Sequence, residues 1–275
     1  MAFQHRMQRN RFEYKYLIDE RCAHEVRNFA RSYLVHDEYA RGEMKWAYPT
    51  NSVYLDGPGY PLYYSTIQGH KNRFKLRVRY YTENETDPVF FEIKRRVNDI
   101  ILKDRALVKR DRAVRVLAGE APRPTDLLKP ADLDAWWSLR RFCDMRDKIG
   151  AIPRVYVSYL REAWVKTDDD NVRLTFDRHL CGGKWDWDPS FTVKREVYPP
   201  PLMATNPCVL ELKFTDRFPY WFREMARSLN LERRNNAKYV QTAFWVPRAK
   251  AVAQGAAGVG DMEDRLMAEL MGGGD

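Results

Sequence analysis

The feature that most constrains this chain is a two-residue alternation in which one face of each strand is apolar and the other carries long charged side chains. Arg11 to Ile18 reads RFEYKYLI, with Phe12, Tyr14 and Tyr16 on one face and Arg11, Glu13 and Lys15 on the other. The alternation returns in Asn72–Tyr81 (NRFKLRVRYY), Pro88–Val97 (PVFFEIKRRV), Ile100–Val108 (IILKDRALV), Arg154–Val165 (RVYVSYLREAWV), Val172–His179 (VRLTFDRH) and Cys208–Phe214 (CVLELKF). A shorter run, Thr50–Asp56 (TNSVYLD), is closed by Gly57-Pro58-Gly59. A period of two predicts strands rather than helices, because residues two apart share a strand face. Eight such segments suit a closed antiparallel barrel with a narrow bore.

Between the strands the period lengthens. A helix is predicted from an Asp19 N-cap to about Leu34, and two more lie between Lys109 and Gly150, broken by the proline-bearing segment Ala121–Pro130. Leu133, Trp136, Trp137, Leu139 and Phe142 supply the apolar positions of the second of these, and Pro219–Leu229 reads as a further helix. Phe191–Tyr198 is a candidate extra strand and Asn236–Val246 a terminal aromatic segment. The expectation is an α+β fold: an eight-stranded antiparallel barrel with helices packed around its outside. Residues 1–248 read as one domain, and 249–275 as an Ala/Gly-rich tail with a short amphipathic run at Met262–Met271.

Lys plus Arg outnumber Asp plus Glu by 47 to 38, a formal charge of +9, which points to an anionic partner. Placement says more than the total. The charged faces carry Glu13 and Lys15; Lys75, Arg77 and Arg79; Glu92, Lys94 and Arg96; Lys103 and Arg105. Later strands add Tyr159 and Arg161, then Arg173, Thr175 and Asp177, then Glu211 and Lys213. If helices clothe the apolar faces, these groups fill the inside. A bore lined by cations repels itself unless a polyanion enters to replace lost hydration. Arginine matches phosphate oxygens through its planar fork, and lysine offers a compact charge. Glu13, Glu92 and Glu211 would repel phosphates unless a hard divalent cation, Mn²⁺ or Mg²⁺, stood between them.

Other chemistries find little support. Cys22, Cys143, Cys181 and Cys208 are widely separated, with neither zinc-ribbon spacing nor a disulfide framework. His5, His24, His36, His70 and His179 lack metal-ligand spacing. Trp185-Asp186-Trp187 reads as a loop that packs on the barrel mouth or touches a nucleotide base, with packing favoured. Nucleic-acid binding is disfavoured, because the cations sit at strand spacing beside glutamates rather than on an exposed basic helix. Met1–Asn10 lacks the apolar stretch of a signal peptide, and no segment approaches the roughly 18 apolar residues of a membrane span, so a cytoplasmic protein is expected.

Six motifs occur in order: RxExK at Arg11–Lys15, RxR at Arg77–Arg79, ExKRR at Glu92–Arg96, YLREAW at Tyr159–Trp164, VRLTFD at Val172–Asp177 and LELKF at Leu210–Phe214. Together they resemble the VTC (vacuolar transporter chaperone) domain, the polyphosphate polymerase branch of the CYTH-like triphosphate tunnel metalloenzymes, over about Arg9 to Val246. The resemblance implies an eight-stranded tunnel that takes a nucleoside triphosphate with a divalent metal, usually Mn²⁺, and passes its terminal phosphoryl group to a growing polyphosphate chain. It implies that Lys15, Arg77, Arg79, Lys94, Arg161 and Arg173 hold phosphates, that Tyr159 adds a hydroxyl, that Glu211 holds the metal and that Lys238 closes the site. Lys75, Arg96 and Lys213 share those charged faces and join the phosphate-binding set. Two departures stand out. Arg11 occupies the place of a first glutamate, which suits the polymerase branch, and Asn235-Asn236-Ala237 precedes Lys238 where polymerases carry a further lysine and a serine. The competing readings are a tripolyphosphatase and a polyphosphate-binding sensor without turnover. A membrane-protein partner that accepts the product, and the oligomeric state, stay open.

Overall fold

In a computed structural model of the chain, the described residues are 11–38, 46–98, 100–167, 171–185, 207–215, 217–234 and 237–243. The strands are β1 (Arg11–Ile18), β2 (Val35–His36), β3 (Ala47–Asp56), β4 (Asn72–Tyr80), β5 (Val89–Val97), β6 (Ile100–Val108), β7 (Ile152–Val165), β8 (Val172–Lys184) and β9 (Cys208–Thr215). The helices are α1 (Glu20–Ala30), α2 (Pro61–Ile67), α3 (Arg110–Leu117), α4 (Leu133–Lys148) and α5 (Tyr220–Ser228), and residues 238–243 form a last helical stretch. None of the described helices is long and apolar enough to cross a membrane.

All pairings are antiparallel, in the order β1-β9-β8-β7-β3-β4-β5-β6, with β2 added to β7. Register shifts lie between Tyr54 and Leu55 on β3 and between Ser158 and Leu160 on β7. Such bulges bend a strand and sharpen its twist. The sheet curls far enough that its two ends meet through side chains: Lys94 on β5 donates to Glu13 on β1 at 3.1 Å. No ladder joins β1 to β6 among the described residues, so the barrel is curled rather than strictly closed.

The apolar faces point outward and are covered. Leu76, Val78, Phe91, Ile93 and Val108 lie beneath Val116 and Leu117 of α3 and Leu139 and Phe142 of α4, where Phe91 meets Phe142 edge-on at 5.0 Å. On the opposite side Tyr16, Leu174, Phe176, Leu210 and Leu212 lie beneath Ala23, Val26 and Ala30 of α1 and Phe222 and Met225 of α5. Each such aromatic or branched side chain contributes about 1.5–3 kcal/mol on burial, enough to fix which face turns out. The polar caps agree, since Asp19 accepts from the Cys22 amide and Asp132 from the Ala135 amide, and a cap of this kind is worth about 1 kcal/mol.

Three features depart from the sequence expectation. Residues 61–67 form helix α2 although Gly57-Pro58-Gly59 suggests only a turn. Pro61 sits in its first turn, and the Asp56 carboxylate accepts from the Leu62 and Tyr63 amides. The predicted first helix ends at Ala30, leaving Val35–His36 free to pair with β7. The terminal aromatic segment is helical at 238–243. The candidate strand Phe191–Tyr198, Asp186 and Trp187, Asn235 and Asn236, His5 and the 249–275 tail lie outside the described residues.

Candidate functional site

With the apolar faces outside, the charged faces of the strands turn into the bore, and their contacts fall into two groups. The first surrounds Glu92, which is wholly buried. Register places Arg77 of β4 and Arg105 of β6 on either side of it. Arg77 Nε donates to Glu92 Oε2 at 2.7 Å, Lys103 Nζ lies 2.7 Å and Arg105 Nε 3.2 Å from Oε1, and Arg79 stands 4.0 Å away. The two β4 guanidiniums are also held by their register partners on the neighbouring strand β3 and by β7 beyond it. Arg77 donates to the Tyr54 hydroxyl at 3.1 Å, and Arg79 to Ser52 Oγ and the Tyr159 hydroxyl, both at 3.2 Å.

The second group surrounds Glu211. Arg161 grips Asp177 with two bonds, at 2.6 and 2.7 Å, and reaches Glu211 at 3.2 Å. Lys238 enters from the 238–243 helix and stands 2.6 Å from Asp177 and 2.8 Å from Glu211. Lys213 lies 2.5 Å from Glu211, and Lys15 bridges Glu13 at 3.1 Å and Glu211 at 3.7 Å. The Tyr159 ring lies beneath Arg161 and Lys238, so this residue touches both groups. Backbone fit positions Lys238 as well: a Cβ on Gly182 would stand 2.2 Å from Thr242 of the same helical stretch. Tyr239 donates to Asp56 at 2.5 Å and stacks on Tyr54 at 4.9 Å, anchoring that stretch to the barrel.

Electrostatics follow from this crowding. Burial opposes the charged form of Glu211, yet Lys213, Lys238, Lys15 and Arg161 outweigh it and hold the carboxyl well below its usual range. Glu92 is likewise buried and likewise held low by Arg77, Arg79, Lys103 and Arg105. Desolvation pushes the Lys103 and Lys213 ammonium groups down to about 7 despite their carboxylate neighbours. Lys238 goes the other way: burial opposes its charge, but Asp177 and Glu211 raise it.

Of the residues expected from the sequence, Lys15, Arg161, Lys213, Lys238, Glu13 and Glu211 meet in the second group, and Arg77, Arg79 and Glu92 in the first. Lys94 joins them through Glu13. Arg173 stands apart, bonded to Asp37 and, at 3.3 Å, to the Tyr48 hydroxyl. Arg96 donates to the Asn98 carbonyl at the β5–β6 turn, at 2.7 Å. Asp177, Tyr54, Ser52 and Asp37 carry contacts to which sequence reasoning gave no role. For Asp177 the signal was its place on the Arg173–Thr175 face; for Asp37, which follows a two-residue strand, there was none.

Comparison with known proteins gives the family of the chain. Two solved structures illustrate what the chain is similar to. A candidate adenylate cyclase from Bacillus halodurans has 12% identity and a TM-score of 0.48, with 85% of this chain and 97% of that one covered. A candidate adenylyl cyclase from Hippeastrum, described as having a dominant triphosphatase activity, has 11% identity and a TM-score of 0.48, with 85% and 95% covered. No curated protein matches. The VTC domain model matches residues 10–244, which takes in every strand of the barrel, and the chain belongs to the VTC domain family.

Proposed function

We propose that the chain is a polyphosphate polymerase that transfers the terminal phosphoryl group of a nucleoside triphosphate, ATP, to the end of a polyphosphate chain held in the bore. The observation that supports this most is the enclosure of Arg77, Arg79, Lys103 and Arg105 around one carboxylate and of Lys15, Arg161, Lys213 and Lys238 around three. Such an excess of cations over carboxylates, with Arg79, Arg161 and Lys238 buried, suits a linear polyanion. Phosphoryl transfer depends mainly on positioning and on neutralising developing charge, with little covalent help from protein. The bond between the terminal phosphorus and its bridging oxygen breaks, a bond forms to a terminal oxygen of the chain, and nucleoside diphosphate leaves. The acceptor oxygen is already anionic, so no general base is required. In this reading Lys15, Lys75, Arg77, Arg79, Lys94, Arg96, Tyr159, Arg161, Arg173, Lys213 and Lys238 bind phosphates.

A divalent ion belongs to the same proposal. Among the described residues no three His, Cys, Asp or Glu side chains stand together as a cage. Glu13, Glu92 and Glu211 are hard oxygen donors, each already held by lysine or arginine. This donor set fits Mn²⁺ or Mg²⁺ bound through one carboxylate, Glu211, with phosphate oxygens completing the shell, as is usual for Mg²⁺. When bound, the ion would supply positive charge to the phosphates. Incubation with ATP and Mn²⁺, followed by gel electrophoresis, tests the proposal. Long chains are expected. Free phosphate without polymer would identify a tripolyphosphatase, and tight, salt-sensitive polyphosphate binding without nucleotide consumption a sensor.

A further inference from the structure

At one end of the bore the inward faces change character. Toward that end β3 presents Tyr54, Ser52, Thr50 and then Tyr48, and β4 presents Arg77, Arg79 and, one residue past its end, Tyr81. On β5 the sequence is Lys94, Glu92 and Phe90, and on β6 it is Lys103, Arg105 and Leu107. Phe90 stands in register between Arg79 and Leu107. The rings touch one another edge-on, with centroids 5.8 Å apart for Tyr48 and Tyr81 and 5.7 Å apart for Tyr81 and Phe90. The Arg105 guanidinium lies over the Phe90 ring at 3.6 Å and donates to the Tyr81 hydroxyl at 3.4 Å. Arg173 donates to the Tyr48 hydroxyl at 3.3 Å on the same rim.

Packing within the protein does not account for this rim. Tyr48, Tyr81 and Phe90 are only half-buried and belong to none of the hydrophobic clusters that the described residues form. Rings turned inward at the end of a charged bore keep apolar surface in water, which folding ordinarily removes. A ligand with a flat aromatic group at one end and phosphates at the other would cover the rings while its charge met the cations below. Aromatic rings and guanidinium planes receive nucleobases by stacking. Strands rise about 3.3 Å per residue, so Phe90 stands about 7 Å along β5 from Glu92, which leaves the sugar between base and phosphates. Trp185, the other aromatic candidate for a base, follows the far end of β8 and is buried in the outer core beside Tyr156.

We propose that Tyr48, Tyr81, Phe90 and Arg105 form a nucleobase platform at the rim of the bore, so that the triphosphate enters as a nucleotide with its base at this mouth and its phosphates pointing inward. This rests on the reading of the bore as a triphosphate site. The test is calorimetric titration of the full chain, with Mg²⁺, using two probes: the β,γ-imido analogue of ATP, which cannot pass on its terminal phosphoryl group, and inorganic tripolyphosphate, which has no base. Each variant is compared with wild type for one probe at a time, because the two probes differ in charge. Phe90→Ala is expected to bind the imido analogue about tenfold more weakly, the loss of one base–aromatic stack, and tripolyphosphate as wild type does, which also shows that the variant folds. Phe90→Trp is expected to keep the affinity for the imido analogue. Unchanged affinity for the imido analogue in Phe90→Ala, or equal weakening for both probes, would overturn the platform and leave the polymerase reading standing. Wild type that binds tripolyphosphate but not the imido analogue would overturn both. If the imido analogue discriminates as expected but ATP with Mn²⁺ yields no polymer, the polymerase reading fails and the platform stands.

Discussion

Replacing Glu92 with Gln removes one charge and almost no volume from the centre of the first cation group. The carboxylate is inaccessible to solvent and faces Arg77, Arg79, Lys103 and Arg105 within 4.0 Å. Deleting one partner of a buried ion pair costs about 3–5 kcal/mol, because the remaining charge is left uncompensated. Not all four cations count fully. The side chains of Lys103 and Arg105 are 44% and 39% exposed, so water screens them, whereas those of Arg77 and Arg79 are only 15% and 8% exposed. Two buried guanidiniums that keep their bonds to Tyr54, Ser52 and Tyr159 place the expected loss near the lower end, about 3 kcal/mol. Urea unfolding of wild type and Glu92→Gln measures it directly. Added tripolyphosphate should restore part of the loss, since it replaces the missing negative charge and binds only the folded state. A loss below about 1 kcal/mol, the ordinary value for an exposed pair, would show that these cations face bulk water and would refute the enclosed bore.

The remaining predictions address metal and pH. Glu211→Gln should abolish Mn²⁺-dependent turnover while leaving the circular dichroism spectrum unchanged; normal metal dependence in that variant would remove Glu211 from the metal position. Tripolyphosphate affinity should fall as pH rises from 7 to 9, because Lys213, facing Glu211, Arg161 and Glu13 and largely enclosed, loses its proton from about 7 upward. The stability of the empty protein should respond with the opposite sign. Its folded value lies below the unfolded lysine value, so the unfolded chain binds more protons and this lysine favours folding increasingly from about pH 7 to about 10. Calorimetric affinity that is flat over this range would contradict the assignment.

Much of this was legible in the sequence because the strands carry strong two-residue contrast. RFEYKYLI and CVLELKF announce both their type and their inner face, and their observed bounds, Arg11–Ile18 and Cys208–Thr215, differ from the alternation by at most one residue. Long-range pairing was not legible. Nothing local says that β1 joins β9 or that β3 lies between β4 and β7, because alternation fixes a face but not a neighbour. Helix α2 was hidden because its stabiliser, Asp56, caps it from the end of the preceding strand. The meeting of Lys238 with Asp177 and Glu211 was equally invisible as geometry, since it joins residues from three separate elements across the bore. Residue type pointed to a polyanion; only the fold showed which cations share a carboxylate and which, like Lys75, have none among the described residues.

A crystal structure of the full chain grown with inorganic tripolyphosphate would examine the central claim most directly. The account places the phosphates inside the barrel, with oxygens in hydrogen-bond reach of Arg77, Arg79, Lys94 and Arg161. Tripolyphosphate seated on the outer surface, with those four side chains still paired only to protein, would contradict it.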